Sequence, residues 1–313
     1  MKQRILLIGG CGYVGSALQA QLNTYDIDVV DLDWHESSCG ILATCIDYRC
    51  LDIHDIQQYH AVILLAGHSS VRMCLGDPVS AFNNNVRNFV ELTQKLTPNQ
   101  KFIYASSASV YGATPKTILK ETDVNFEPLN AYDMTKLWID QYVQQTDLEY
   151  YGLRFGTVCG WAPHTRTDVM INAMTHTAMQ TGEIHLFNGD VHRSLLGIND
   201  LCNSVKAILK GGDHRGIYNL AGIHATSRQI ATYVGNKLGV PVIETEPPEN
   251  GNIKLTTKAY DFTMDCDKFI NTYGYIFSDT IGSLTQELRN RYEATTKTHR
   301  NQHVSYTGSL RSL

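Results

Sequence analysis

Two hydrophobic rhythms take turns along the chain. Short, nearly unbroken apolar runs at 4–8, 28–33, 45–51, 61–66 and 101–105 predict strands buried on both faces. Between them, apolar residues recur at helical spacing over 12–25 and 78–96, which predicts amphipathic helices. Strand and helix in strict alternation predict an α/β fold with a doubly wound parallel sheet. The run at 148–155 reads as a sixth strand, and 216–221 as a late strand returning to the sheet. Residues 158–194 and 224–292 carry more turns, prolines and helix fragments, and predict a smaller, discontinuous α/β lobe. The expected division is therefore 1–157 plus 195–223 for the main domain and 158–194 plus 224–292 for the lobe. Residues 293–313 are polar and aperiodic, and are expected to form a mobile tail.

The bulk composition narrows the function classes. With 313 residues, 43% hydrophobic and 18% charged, the chain has enough apolar surface for a large core, so disorder is not expected. A net charge of -5 gives no overall basic field for nucleic acid or an anionic membrane, and points to small-molecule chemistry. The eight cysteines form no CxxC pair and the twelve histidines no HExxH, so neither a metal site nor a disulfide framework is expected. Reduced thiols in a cytoplasmic protein account for them. The apolar run after Lys2 and Arg4 is interrupted by Gly9, Gly10, Gly12 and Gly15, which suits a strand and a tight turn better than a secretory signal.

That interruption is the first chemical signal. The segment Gly9-Gly10-Cys11-Gly12-Tyr13-Val14-Gly15 follows the first strand and opens a helix. Glycines there permit a tight turn, backbone approach to a pyrophosphate and close packing of helix on sheet, as in a Rossmann dinucleotide site. A carboxylate at the end of the second strand would then bind the adenosine ribose. Asp33 is preferred because it sits nearer the expected strand end, with Asp31 the competing choice. Trp34, His35 and Glu36 offer no arginine for a 2′-phosphate, so NAD is expected over NADP.

The second signal is Tyr132 and Lys136, four residues apart on a predicted helix and therefore on one face. A phenol with a pKa near 10 is a poor base at neutral pH, and a nearby cation favours its ionised form. Tyr132 is the candidate general base. Alone, a YxxxK pair is more often an ordinary helix pair; beside the glycine turn and a serine at the end of the fifth strand, Ser107, it reads as catalytic.

With these pieces in place the chain resembles the extended short-chain dehydrogenases/reductases, specifically the NAD-dependent nucleotide-sugar epimerase/dehydratase family, over roughly residues 3 to 290. The resemblance rests on the glycine turn, on Leu65-Ala66-Gly67, on Asn85-Val86, on the run from Phe102 to Gly112, on YxxxK and on the run from Leu153 to Gly160. It implies catalysis by Ser107, Tyr132 and Lys136. It implies cofactor contacts from Gly9, Gly12, Tyr13, Val14, Gly15, Asp33, Leu65, Ala66, Gly67, Tyr132, Lys136 and Phe155, and from Asp52 and Ile53 as an adenine-contacting pair. Asn85 is implied to be structural. Ser107, Ser109, Thr157, Asn172 and Arg193 are implied to face a nucleotide-sugar substrate, with Arg193 on its phosphate. A homodimer through helices near 85–96 and 132–146 is also implied.

The resemblance leaves the reaction to be read from details. Family dehydratases carry an acidic residue just after the catalytic Ser/Thr, where this chain has Ala108 and Ser109, so elimination is disfavoured. Ser69 stands where galactose epimerases have lysine, and Cys159-Gly160-Trp161 replaces the commoner Tyr-Gly. The run from His164 to Asn172 is similar to a PRMRxDLxVN-like segment of a subgroup holding epimerases and heptose-modifying oxidoreductases. Expected first is a nucleotide-sugar 4-epimerase, second a nucleotide-sugar dehydrogenase or ketoreductase, third a non-catalytic NAD-binding module. Several residues also have plainer readings: Asp52 as a helix cap, Asn172 as a surface amide, Arg193 as half of an ion pair, Trp138 and Tyr142 as core or interface.

Overall fold

The computed structural model describes residues 2–32, 43–114, 117–123, 127–246 and 260–308, with side chains described as far as 294. Seven parallel strands form one sheet in the order Gly216–Leu220, Glu149–Phe155, Lys101–Ser107, Ala61–Leu64, Arg4–Ile8, Asp26–Asp31, Ala43–Cys45. The order reverses direction at Arg4–Ile8, and at such a switch point the carboxyl ends of the strands diverge to leave a crevice for ligand. The doubly wound α/β expectation is met.

Both faces of the sheet are covered, which is why its strands are apolar throughout. One face buries Ile5, Leu7 and Ile63 beneath helices Tyr13–Gln21 and Ile198–Lys210. The other buries Leu6, Ile8 and Val62 beneath Asn88–Thr93 and Ala131–Val143. Helix Asp267–Tyr273, expected in the smaller lobe, packs on the first face instead: Phe269 is fully buried there, edge to face with Tyr218 at 5.7 Å. Aromatic area decides its place more than chain position does.

The smaller lobe has its own core of Ile171, Ile184, Ile230 and Leu284, drawn from helices Met170–Thr181 and Ser227–Leu238 and the long helix Ile281–Gly308. That last helix runs through most of the segment read as a tail. Its apolar anchors Leu284 and Leu288 nucleate it, and later residues extend an existing helix, a step that needs little periodicity of its own. A three-stranded sheet of Ile223–Thr226, His192–Gly197 and Thr157–Cys159 joins the lobes.

Three other elements differ from expectation. The second strand ends at Asp31, and Asp33 lies outside the described residues. The third strand is only Ala43–Cys45, because Asp47 caps a short 3-10 turn, Tyr48–Cys50, and diverts the chain. The helix expected over 78–96 is interrupted by a π-turn at Asn83–Arg87. Such turns often mark functional sites, and here Asn84 and Asn88 line the ligand crevice.

Candidate active site

The crevice at the carboxyl ends of the strands has a volume of about 680 Å³ and opens between the lobes. Its floor is the glycine turn. Gly9 has φ +84°, and a Cβ there would lie 2.4 Å from the Ala66 amide nitrogen. A Cβ on Gly15 would lie 2.3 Å from the Gly9 carbonyl oxygen, so the first helix sits on the strand only because both are glycine. Gly12 differs. Its nearest protein atom would be 3.6 Å from a Cβ, and as N-cap it leaves the first helical N–H groups without a side-chain partner. Those donors suit a diphosphate.

Most residues expected at the cofactor meet here. Gly9, Gly12, Tyr13, Val14, Gly15, Leu65, Ala66, Gly67, Tyr132, Lys136 and Phe155 all line the crevice. Asp31 lines it too, its carboxylate accepting from the Cys11 amide at 2.9 Å. The pair Asp52 and Ile53 does not: Asp52 caps the helix Ile53–Ile56, accepting from the His54 amide at 2.7 Å. Asp47 and Tyr48 line the crevice instead. The early end of the third strand brings residues five positions earlier to the crevice, a shift that apolar periodicity does not reveal.

At the other end of the crevice, parallel pairing sets Ser107 beside Phe155, and Ser107 caps the turn Ala108–Tyr111 by accepting from the Ser109 amide at 3.2 Å. Helix Ala131–Val143 starts at Asn130, whose side chain accepts from the Asp133 amide, and this start puts Tyr132 in the first turn. The helix is fixed from behind by a buried chain. Tyr104 donates to Asp140 at 2.9 Å, Arg154 donates to Asp140 at 2.8 Å, and Arg154 donates to the Tyr111 hydroxyl at 3.0 Å. Asn85, behind Gly67, accepts from the His68 amide and donates to Thr135, which ties the fourth-strand loop to the same helix. Its structural reading is the one the geometry supports.

The electrostatics depart from expectation. Burial pushes the Tyr132 phenol up to about 12, with the Ser107 hydroxyl opposing the shift. Lys136 is 8% exposed, and burial lowers its ammonium to about 8. Its Nζ donates to the Ala105 carbonyl at 2.7 Å and stands 5.9 Å from the centre of the Tyr132 ring. Desolvation is the largest influence on the phenol.

Arg193 lines the crevice with its buried Nε lacking a hydrogen-bond partner, and burial lowers its pKa. An orphaned guanidinium donor facing a cleft fits an anionic ligand better than the ion-pair reading. Thr157 and Ser109 also line the crevice. Asn172 does not: it is fully buried, accepting from the Gly160 amide and donating to the Gly160 and Arg166 carbonyls. Its amide is consumed in shaping a loop, so it is a structural residue here. Sequence reading missed Arg166, Tyr260 and Phe262, which line the crevice from segments without periodicity. Among the described residues, no three His, Cys, Asp or Glu side chains gather to hold a metal.

The glycine turn, the set Ser107, Tyr132 and Lys136, and Arg193 share one crevice, the arrangement of a dinucleotide-dependent enzyme of short-chain dehydrogenase type. The profile of the NAD dependent epimerase/dehydratase family matches residues 5–221. The chain belongs to that family, and NAD is its cofactor. It is 27% identical over 298 residues to UDP-glucuronate 4-epimerase 1 of Arabidopsis thaliana, covering 80% of this chain and 69% of that protein. The structure of UDP-glucuronic acid 4-epimerase from Bacillus cereus, in complex with UDP-glucuronic acid and NAD, aligns with TM-score 0.79 at 20% identity, covering 94% of this chain and 100% of that one. A dTDP-glucose 4,6-dehydratase from Streptomyces venezuelae aligns with TM-score 0.76 at 18% identity, covering 93% and 97%. Epimerase and dehydratase thus share this fold, and side chains must separate them.

Proposed function

We propose that the protein is an NAD-dependent nucleotide-sugar 4-epimerase. The observation that carries this reading is the meeting of Ser107, Tyr132 and Lys136 in one crevice whose turn after Ser107 holds Ala108 and Ser109, without an acid to expel a hydroxyl. The relatives named as 4-epimerases support it. The bound cofactor supplies a reversible acceptor for the hydride of the sugar carbon. The glycine turn, Asp31 or Asp33, and Asp47 with Tyr48 would hold it. Ser107 would hydrogen-bond the sugar hydroxyl while Tyr132 exchanges its proton, and Lys136 would reach the cofactor ribose. Arg193 would hold the substrate diphosphate, leaving the sugar free to present either face.

The test is incubation with UDP-glucuronate and UDP-glucose, with products resolved by NMR. Conversion between 4-epimers without net NADH supports the reading; stoichiometric NADH formation sinks it in favour of a dehydrogenase. NAD binding without turnover of any nucleotide sugar would leave a binding module.

We also propose a homodimer, supported by an apolar face on two touching helices: Val79 and Phe82 are 73% and 51% exposed, Met134 and Trp138 60% and 43%. Trp138→Glu is expected to convert dimer to monomer in light scattering. A cytoplasmic location is proposed from the sequence, whose eight cysteines form no CxxC pair and suggest no disulfide framework. No helix among the described residues is long and apolar enough to cross a membrane.

A further inference from the structure

Helix Asn88–Thr93 opens directly on the π-turn Asn83–Arg87. The extra residue in such a turn shifts the phase of the helix that follows it. Asn84 and Asn88, four apart, thereby share a face on the crevice, while Val86, Phe89 and Leu92 turn to the core. Buried amides beside apolar neighbours need hydrogen-bond partners. Asn84 finds them inside the protein: its Nδ2 donates to His68 Nδ1 at 3.2 Å and to Ser80 Oγ at 3.3 Å, and its Oδ1 accepts from Asn88 Nδ2 at 3.3 Å. Asn88 is only half satisfied. The residue is 3% exposed, it lines the crevice, and its buried Oδ1 has no hydrogen-bond partner. An acceptor left this way has given up its hydration without a bond in return, and a ligand donor arriving in the crevice restores one.

We propose that Asn88 reads the adenine base of NAD, its Oδ1 accepting from the exocyclic amine. The helix it opens packs on the turn Tyr48–Cys50, and Lys95, just past that helix, donates to the Arg49 and Leu51 carbonyls at 2.7 and 2.8 Å. Asn88 therefore stands at the Asp47–Tyr48 end of the crevice. With the diphosphate on the glycine turn and the ribose at Asp31, that end is left to the base. On the edge of an adenine the amine is a donor and the ring nitrogens are acceptors, so an unpaired carbonyl oxygen selects the amine. Asp47, the carboxylate nearest in sequence to this task, is turned to Arg49: it accepts from the Arg49 amide at 2.9 Å and pairs with the guanidinium at 2.6 Å. The inference rests on the cofactor placement proposed above and not on the sugar reaction.

The test equilibrates the full chain with equal amounts of NAD and nicotinamide purine dinucleotide, which carries hydrogen in place of the adenine amine, and resolves the bound dinucleotides by chromatography. The wild-type chain is expected to retain NAD over the analogue by about tenfold. Asn88→Leu, similar in volume and without an acceptor, is expected to bring the two to equal retention, because only NAD loses a bond. Asn88→Ala repeats the test should the leucine variant fold poorly. A purely structural role for Asn88 would weaken both dinucleotides together and keep their ratio, which overturns the inference; equal retention by the wild-type chain overturns it too. The cofactor placement fails by a different sign. Gly12→Ala should weaken both dinucleotides in calorimetric titration at an unchanged ratio. Unchanged affinities in that variant would sink the placement of the diphosphate, while equal retention in Asn88→Leu would still leave the base contact standing. Failure to epimerise any sugar, with the ratios as expected, would sink the proposed function alone.

Discussion

The two ends of the crevice are built by different means. The end proposed for the cofactor is mainly backbone: a glycine turn, strand ends and uncapped helical N–H groups, drawn mostly from the first quarter of the chain. The end proposed for the substrate is side chains, with Ser107, Tyr132, Arg166 and Arg193 arriving from four separate segments. A backbone site is fixed by local sequence and leaves little freedom to vary, while a site assembled over long distances can change one residue at a time. Family members with different reactions on one fold are the expected result.

Substitutions can sharpen this contrast. The largest effect is expected at the substrate end: Tyr132→Phe should lower epimerisation by about 10²- to 10⁴-fold with melting temperature and NAD binding unchanged, measured by coupled assay and calorimetry. Loss of fold or cofactor would mean that the phenol is structural. Next, the helix carrying Tyr132 is held by the buried Arg154–Asp140 pair at 2.8 Å, both residues at most 2% exposed. Arg154→Met should destabilise by about 3–5 kcal/mol in denaturant unfolding, because Asp140 is left buried with its charge uncompensated.

The third test concerns Lys136 and has the opposite sign. Its folded pKa, about 8, lies below the unfolded value near 10.4, so between those values the unfolded chain binds more protons and stability rises with pH. Below about pH 8 the charged, buried amine costs the fold about 3 kcal/mol. Lys136→Met should therefore raise stability at pH 7, flatten its rise between pH 8 and 10, and abolish turnover. A less stable variant with the slope intact would refute this.

The smallest effect on the fold belongs to the cofactor end. Gly12→Ala has room within the protein, where the nearest atom is 3.6 Å away, so its melting temperature should change by only a few degrees while NAD affinity falls at least tenfold by calorimetric titration. Unchanged affinity would place the diphosphate elsewhere.

The same contrast explains what the sequence made legible. The sheet, the glycine turn and the YxxxK helix are encoded by neighbouring residues, so periodicity and spacing reveal them. Asp47 and Tyr48 were hidden because a side-chain cap, not hydrophobicity, ended the third strand. Asn172 looked like a ligand contact, but its partners at Gly160 and Arg166 become visible only after folding. The Tyr132 phenol shows the same limit of local sequence. Spacing shows the nearby cation, but not the burial that raises the phenol.

The small sheet between the lobes has a consequence for how the molecule comes apart. Three passages of chain from one lobe to the other are themselves its strands, Thr157–Cys159, His192–Gly197 and Ile223–Thr226, and Gly156 and Gly222 add backbone bonds at 2.9 and 3.0 Å to Leu220 and Leu195. Within this seam the crossings are themselves paired strands, which ties the melting of one half to the other. Heating should meet a single cooperative transition, with calorimetric and van't Hoff enthalpies in agreement, although several hydrophobic cores are being dissolved.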